Sequence, residues 1–325
     1  MQKAIRIHEH GGPEVLVWED VPKPGPGPGE ALVRHAAVGL NFIDVYFRTG
    51  LYKPPGLPAI IGMEAAGEVE AVGAGVTEVA PGDRVAYATA PIGAYAESRT
   101  IKADRLVKLP DDIGFETAAA MMLQGMTAQY LLRRTYAVKA GDTILVHAAA
   151  GGVGLILCQW AKHLGCTVIG TVSSDAKAEL AKAHGCAHPV VYTREDFLGR
   201  VREITDNKLL PVVYDSVGRD TFAKSLDCLA PFGMMVVYGA ASGPVPPFDV
   251  SQLAAKGSLF LTRPTLATYT ARRDDLVWAA NDLFEVVGKG IVKIEINQRF
   301  PLAEAARAHA TLEARKTTGS TLLMP

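Results

Sequence analysis

Between residues 143 and 164 the chain passes from one hydrophobic periodicity to another across a cluster of glycines. Residues 143–149 (TILVHAA) form an apolar run, followed by Ala149-Ala150-Gly151-Gly152-Val153-Gly154. Apolar side chains then fall at Val153, Ile156, Leu157, Trp160, Ala161 and Leu164. That is the i, i+3, i+4, i+7, i+8 spacing of a helix with one buried face. A strand apolar along its whole length is covered on both faces, and a helix that starts straight after it packs back onto the same sheet. The combination commits the chain to a βαβ unit and a parallel sheet. Gly165 can close the helix in a left-handed cap.

The alternation continues. Strands are expected at 167–172, 189–192, 212–215 and 234–238, with helices from Ser174 to His184 (closed by Gly185), at 195–205 and at 220–229. Leu259, Phe260 and Leu261 read as one more strand of that sheet. The first third is different. Short strands are expected at 3–7, 31–38, 65–72 and after the turn Pro81-Gly82-Asp83. Residues 22–29 (PKPGPGPG) hold neither ladder nor helix, because Pro lacks a donor and Gly is too permissive. After residue 240 the reading gives an amphipathic helix over 274–288, with Leu276, Val277, Leu283 and Val287 on or near its inner face. A strand at 291–296, a helix near 302–315 and a last strand at 321–324 follow.

With 325 residues the chain has room for roughly two domains. Its net charge of −1 offers no general attraction to a polyanion, which argues against nucleic acid or an anionic membrane as a partner. An apolar content of 49% with 21% charged residues excludes disorder as the dominant state. Cys158, Cys166, Cys186 and Cys228 form no CxxC pair and read as small buried hydrophobes, not as a disulfide framework or a zinc site. Residues 1–10 carry charge throughout, and no apolar run approaches the ~18 residues of a membrane span, so a cytoplasmic protein is expected.

The glycine cluster is GxGxxG with Ala149 in the first place. Gly151 lets backbone approach a pyrophosphate, Gly154 allows close helix–strand packing, and the amides at the helix N-terminus receive the phosphate charge. The strand–turn–helix context supports a dinucleotide. About 20 residues on, where an NAD site usually carries an acid, stand Val172, Ser173 and Ser174, with Lys177 one turn later. A hydroxyl and an ammonium suit a 2′-phosphate, so NADPH is the expected cofactor. Asp175 reads as a first-turn acid favoured by the helix dipole.

Several stretches sharpen the assignment: residues 10–16 (HGGPEVL), 41–44 (NFID), 48–52 (RTGLY), 148–154 (AAAGGVG) and 214–218 (YDSVG). Over essentially the whole chain the sequence resembles the NADPH:quinone oxidoreductases, the zinc-free, zeta-crystallin-like branch of the medium-chain dehydrogenase/reductase superfamily. The resemblance implies a Rossmann doubly wound parallel sheet over 126–263. A β-rich GroES-like catalytic domain would comprise 1–125 and 264–325. Zinc-dependent relatives carry Cys where this chain has Asn41, and Gly-His-Glu where it has Gly62-Met63-Glu64. The four-cysteine zinc lobe is missing too, so no metal is expected.

Without a Lewis acid, the expected substrate is one that takes hydride readily, a quinone or an activated enone. The resemblance places Asn41 toward the nicotinamide cleft, its amide binding either the substrate oxygen or the cofactor ribose, with Tyr46 and Tyr52 around the substrate; Tyr46 also contacts cofactor. Asp44 is read as a turn or helix cap without chemistry. Further cofactor contacts implied by the resemblance are Phe42, Tyr130, Gly152, Val153, Ser173, Lys177, Tyr192, Ser216, Tyr238, Gly239, Ala240, Arg263 and Arg315. Some relatives carry Gly at the Ser173 position, which makes Lys177 the firmer contact. His147 and His163 are read as structural.

The expected function is zinc-independent, NADPH-dependent reduction of quinones. The alternatives are reduction of α,β-unsaturated ketones or enoyl thioesters, and a non-enzymatic NADPH- or RNA-binding role. An apolar strand at 259–261 on a sheet edge, together with the resemblance, predicts a homodimer paired across a two-fold axis.

Overall fold

A computed structural model describes residues 1–88 and 91–325. The chain forms two compact units. Unit 1 comprises Met1–Met126, Tyr269–Gly288 and Ile294–Pro325; unit 2 comprises Thr127–Thr268 and Lys289–Lys293.

Unit 1 opens with the strands β1 (Gln2–Ile7), β2 (Val17–Val21) and β3 (Glu30–Leu40). A short helix α1 (Phe42–Thr49) follows β3 directly. Then come β4 (Ala59–Ile60), β5 (Glu64–Val72), β6 (Arg84–Ala88), β7 (Ser98–Lys102) and β8 (Val107–Lys108). β1 sits between β2 and β4 in an antiparallel sheet of three. β2 and β7 had no clear signal: VWEDV and SRTIK are short and keep much of their polar surface. Helix α2 (Phe115–Tyr130) was not foreseen either. Ala118, Ala119, Met121, Met122 and Met126 are all fully buried, and a helix apolar on every side shows no 3.6-residue stripe.

In unit 2 the expected alternation is realised by β9 (Thr143–Val146), α3 (Gly152–His163), β10 (Thr167–Val172), α4 (Asp175–Ala183), β11 (His188–Val191), α5 (Phe197–Ile204), β12 (Leu210–Asp215), α6 (Phe222–Leu226), β13 (Leu229–Val237), α7 (Ser251–Ala255), β14 (Phe260–Thr262) and α8 (Leu266–Tyr269). Six parallel strands lie in the order β11-β10-β9-β12-β13-β14, so the order reverses at β9. Leu145, Ile169, Val190, Val213 and Met235 are fully buried in the core of this sheet. The expected helix at 220–229 is shorter, and β13 begins five residues before the expected strand. Pro231 and Gly233 interrupt the apolar pattern, yet Leu229 pairs with Leu210 and Phe232 takes a positive φ of 65°.

The chain then returns to unit 1 through α9 (Arg273–Gly288), β15 (Ile296–Pro301), α10 (Ala305–Glu313) and β16 (Ser320–Met324). Leu276 and Leu283 face inward on α9 as expected, joined by Phe284 and Val286; Val287 is only half-buried. The strand expected at 291–296 lies further on. It starts at Ile296, and Phe300 is its one buried residue. The larger sheet of unit 1 runs β15-β16-β3-β5-β6-β8, with β7 also on β3. Among the described residues no helix is long and apolar enough to cross a membrane.

Candidate active site

In unit 1 the chain leaves β3 at Asn41 and turns at once into α1. Asn41 is the N-cap, and a capping box ties it to Asp44. The Asn41 amide nitrogen of the backbone donates to Asp44 Oδ2 at 2.9 Å. The expectation that Asp44 caps this helix is met.

The side chain of Asn41 is 5% exposed and held at both ends. Its Nδ2 donates to Glu64 Oε2 at 2.7 Å, and its Oδ1 accepts from Gln124 Nε2 at 3.1 Å. Ser320 Oγ lies 2.8 Å from Gln124 Oε1 and 2.8 Å from the Ala120 carbonyl oxygen. A carboxamide has two N–H groups and two lone pairs. The network therefore takes half of what Asn41 can offer and fixes the direction of the rest.

Glu64 opens β5 and is fully buried. Its other oxygen, Oε1, accepts the Leu123 backbone N–H. Burial pushes its pKa up to about 8, against the pull of the Leu123 and Asn41 donors. It fits because Gly39 has no side chain: a Cβ there would stand 2.4 Å from Glu64 Oε2 and 2.3 Å from the Ala119 carbonyl oxygen. Glu64 was not foreseen as a site residue. The only sequence signal was its place after Gly62-Met63.

Tyr46 lies on α1, nearly buried, with its ring 5.4 Å from that of Tyr52 in an edge-on arrangement. The Tyr52 backbone N–H donates to the Tyr46 carbonyl. Phe42 is 6.3 Å from Tyr46. Phe42, Tyr46 and Tyr52 thus form a run of neighbouring rings on and just after α1, the helix that Asn41 caps. Arg315, also in unit 1, is exposed just past α10 with φ of 58°.

In unit 2, α3 starts at Gly152 with Gly151 as its N-cap, and no side chain caps it. Its first-turn amides are therefore left for another acceptor. The turn is tight: Ala148 has φ of 52°, and a Cβ on Gly154 would stand 2.3 Å from the Ala148 carbonyl oxygen. Only glycine fits at 154. At 151 a Cβ would stand 3.2 Å from the same Ala148 carbonyl oxygen, a tight but less severe contact. A cradle this shape, closed against the backbone and lined by uncapped amides, fits a pyrophosphate.

Ser173 follows the last residue of β10, and Ser174 caps α4 by accepting from the Lys177 N–H. The Lys177 side chain is half-buried. Asp175 lies in the first turn of α4 as expected, and Arg194 Nη1 also donates to its Oδ2 at 2.8 Å, with a second bond to the other oxygen. Arg194 was not foreseen, although it lies two residues past Tyr192, where the chain leaves the strand next to β10. Tyr192 is 41% exposed.

Asp215 ends β12 fully buried, and its Oδ1 accepts from the Val217 and Gly218 N–H groups and Thr221 Oγ1. This shapes the turn that carries Ser216. Ser216 bonds the Tyr238 hydroxyl. Gly239 is packed so closely that a Cβ would meet the Ser216 carbonyl oxygen at 2.4 Å. Tyr130 is buried, Ala240 is half-buried, and Arg263 is exposed after β14. His147 is buried between the Thr171 and Ser225 hydroxyls. His163 is exposed at the end of α3. All four cysteines are buried and unpaired, as expected. Among the described residues no group of three or more His, Cys, Asp or Glu could hold a metal ion.

The family of zinc-binding dehydrogenases matches residues 152–272, and that of the alcohol dehydrogenase GroES-like domain matches residues 27–111. A quinone oxidoreductase of Pseudomonas aeruginosa is 57% identical over the full length of both chains. The chain belongs to the quinone oxidoreductases of the medium-chain dehydrogenase/reductase superfamily. A crystal structure of an Escherichia coli quinone oxidoreductase complexed with NADPH superimposes with a TM-score of 0.98 at 48% identity, covering 99% of this chain and 100% of that one. A 2-haloacrylate reductase from Burkholderia is 47% identical over 100% of this chain and 99% of its own.

Proposed function

We propose that this quinone oxidoreductase family member reduces quinones by hydride transfer from NADPH and does so without zinc. The observation that carries the reading is the Asn41 side chain, held by Glu64 and Gln124 with one amide direction fixed. A thiolate at this place would bind a metal; a locked carboxamide instead presents a neutral N–H to an oxygen that gains charge. NADPH when bound supplies the hydride. Asn41, Tyr46 and Tyr52 are the substrate-side residues: Asn41 and a tyrosine hydroxyl donate to the quinone oxygen, and the paired rings form an apolar wall for a planar substrate.

On unit 2, Gly151, Gly152 and Val153 hold the pyrophosphate, and Ser173, Lys177 and Tyr192 hold the 2′-phosphate. Ser216, Tyr238, Gly239, Ala240, Tyr130 and Arg263 are the remaining coenzyme residues of unit 2, and Asn41, Phe42, Tyr46 and Arg315 are the coenzyme residues of unit 1. In this reading residues 126–263 are the coenzyme domain, and 1–125 with 264–325 the catalytic domain. The protein works in the cytoplasm as a homodimer paired through β14, where Phe260 and Leu261 are exposed.

A second reading, reduction of an activated carbon–carbon double bond, is favoured by the similarity to the 2-haloacrylate reductase. A rate panel with NADPH against 1,4-benzoquinone, a large ortho-quinone, an enone, crotonyl-CoA and 2-chloroacrylate separates the two. The proposal expects the quinones to lead in kcat/KM. A preference for the alkenes would replace it with the second reading.

A further inference from the structure

Behind α1 runs a second polar chain that the reaction itself does not use. Arg48, on α1, is 1% exposed. Its Nε donates to the Gly11 carbonyl at 3.1 Å, Nη2 to Glu313 Oε1 at 2.8 Å, and Nη1 lies 3.1 Å from His309 Nδ1. His309 Nε2 lies 2.9 Å from the Tyr95 hydroxyl, and that hydroxyl lies 3.0 Å from Asp44 Oδ2. Asp44, Tyr95 and His309 are all completely buried. Asp44 and Arg48 stand one helical turn apart, so the chain leaves α1 at Arg48 and re-enters it at Asp44.

The direction of every hydrogen bond in this ring follows from one residue. A guanidinium only donates. His309 Nδ1 must therefore accept from Arg48, which puts the imidazole proton on Nε2. Nε2 donates to the Tyr95 oxygen, and the Tyr95 hydroxyl donates to Asp44. Burial and the nearby Arg48 charge keep His309 neutral, in line with that tautomer. Asp44 Oδ2 then receives two donors, the Tyr95 hydroxyl and the Asn41 backbone N–H. A chain that begins at a group unable to give up its proton is a poor proton wire. It is a clamp.

Burying these groups is not an economical route to stability, since well-packed apolar residues of the same volume do as well or better. We propose that Tyr95 and His309 are positioning residues for Asn41. They hold the Asp44 carboxylate as an acceptor and so fix the turn from which Asn41 and Tyr46 project. Tyr95 is itself seated against the backbone just before Glu64: a Cβ on Gly62 would stand 2.3 Å from its ring. One aromatic side chain therefore braces both the carrier of Asn41 and the approach to the carboxylate that orients it. The inference rests on Asn41 as a substrate-side residue.

The test compares Tyr95→Phe, Asp44→Asn and the double variant with 1,4-benzoquinone. NADPH affinity is followed by protein fluorescence, and the Asn41 side-chain amide by NMR of protein carrying ¹⁵N-asparagine. Tyr95→Phe is expected to lower kcat about 10-fold, within the range that misplacement of a reacting group costs, while the Kd for NADPH stays within about twofold. The double variant should lose no more than Asp44→Asn, because both act through one carboxylate. The Asn41 amide resonance should shift in Tyr95→Phe. His309→Gln keeps an acceptor for Arg48 and a donor for Tyr95, and should retain most of the kcat that His309→Leu loses; this pair decides the matter if Tyr95→Phe folds poorly. Additive losses, a Kd that rises in step with the fall in kcat, or an unmoved Asn41 resonance with unchanged kcat would overturn the proposal. A wild type that binds NADPH but turns over no quinone would overturn the assignment of Asn41, while the amide resonance would still judge the clamp.

Discussion

Asn41 Nδ2 lies 2.7 Å from Glu64 Oε2, both groups shut away from solvent where β3 passes into α1 and β5 begins. The two Glu64 oxygens face two donors, the Asn41 amide and the Leu123 backbone N–H. Glu64→Gln brings one oxygen and one NH2 group to a place that needs two acceptors. Either Asn41 rotates or a donor meets a donor. A buried donor left without an acceptor costs about 1–3 kcal/mol, which corresponds to roughly a 5- to 150-fold change. We expect kcat/KM for quinone to fall within that range in steady-state assays while the coenzyme Kd holds.

Coenzyme choice is tested at the end of β10. Lys177→Ala should raise the KM for NADPH by roughly 10- to 150-fold, the size of one charge-assisted hydrogen bond, and should hardly change that for NADH. Ser173→Asp should go further, since a carboxylate repels the 2′-phosphate yet can accept from a free ribose hydroxyl. Equal weakening for both coenzymes would make Lys177 an ordinary surface residue.

His35 gives a pH signature. Its Nδ1 faces the Ala96 carbonyl at 2.7 Å and its Nε2 the Tyr87 hydroxyl at 2.8 Å. Burial, the larger cause, and the Arg99 charge bring its pKa down to about 4, against the Ala96 hydrogen bond. The folded protein therefore refuses a proton that the unfolded chain accepts near pH 6.5. The contribution of His35 is fully present above pH 6.5 and is lost as pH falls from there toward 4. By pH 5 the loss is roughly 2 kcal/mol. In urea unfolding, the stability gap between wild type and His35→Gln should narrow by about that amount between pH 7 and pH 5. A gap independent of pH would contradict the burial argument.

Assembly is tested at β14. Phe260 is 57% exposed on a strand that pairs with β13. Phe260→Lys should turn a dimer into a monomer in solution scattering at micromolar concentration. A wild type that is already monomeric would remove β14 as an interface.

The parallel sheet was legible because its strands and helices carry opposite periodicities. Leu145 and Ile169 sit on continuous apolar runs, and Ile156 and Trp160 on a helical stripe. Elements without contrast were not legible. Met121 and Met122 lie on a helix apolar all round, and Pro231 and Gly233 disguised the start of β13. The site divided in the same way. Gly154 could be read because only glycine tolerates the Ala148 oxygen at that distance. Glu64, Gln124, Tyr95, His309 and Arg194 could not. Each acts through a partner far away in the sequence, such as the 214 residues between Tyr95 and His309. Asp44 was read correctly as a cap, since its partner is only three residues away.

The central claim is metal-independent hydride transfer from NADPH to a quinone, and initial rates of NADPH oxidation with 1,4-benzoquinone test it most directly. They should be measured before and after exhaustive chelation, with zinc determined on the same sample. The account predicts saturable quinone-dependent oxidation, a clear preference for NADPH over NADH, far less than one zinc per chain, and no loss on chelation. Stoichiometric zinc with activity that disappears on chelation would contradict it, as would NADPH binding without any quinone-dependent oxidation.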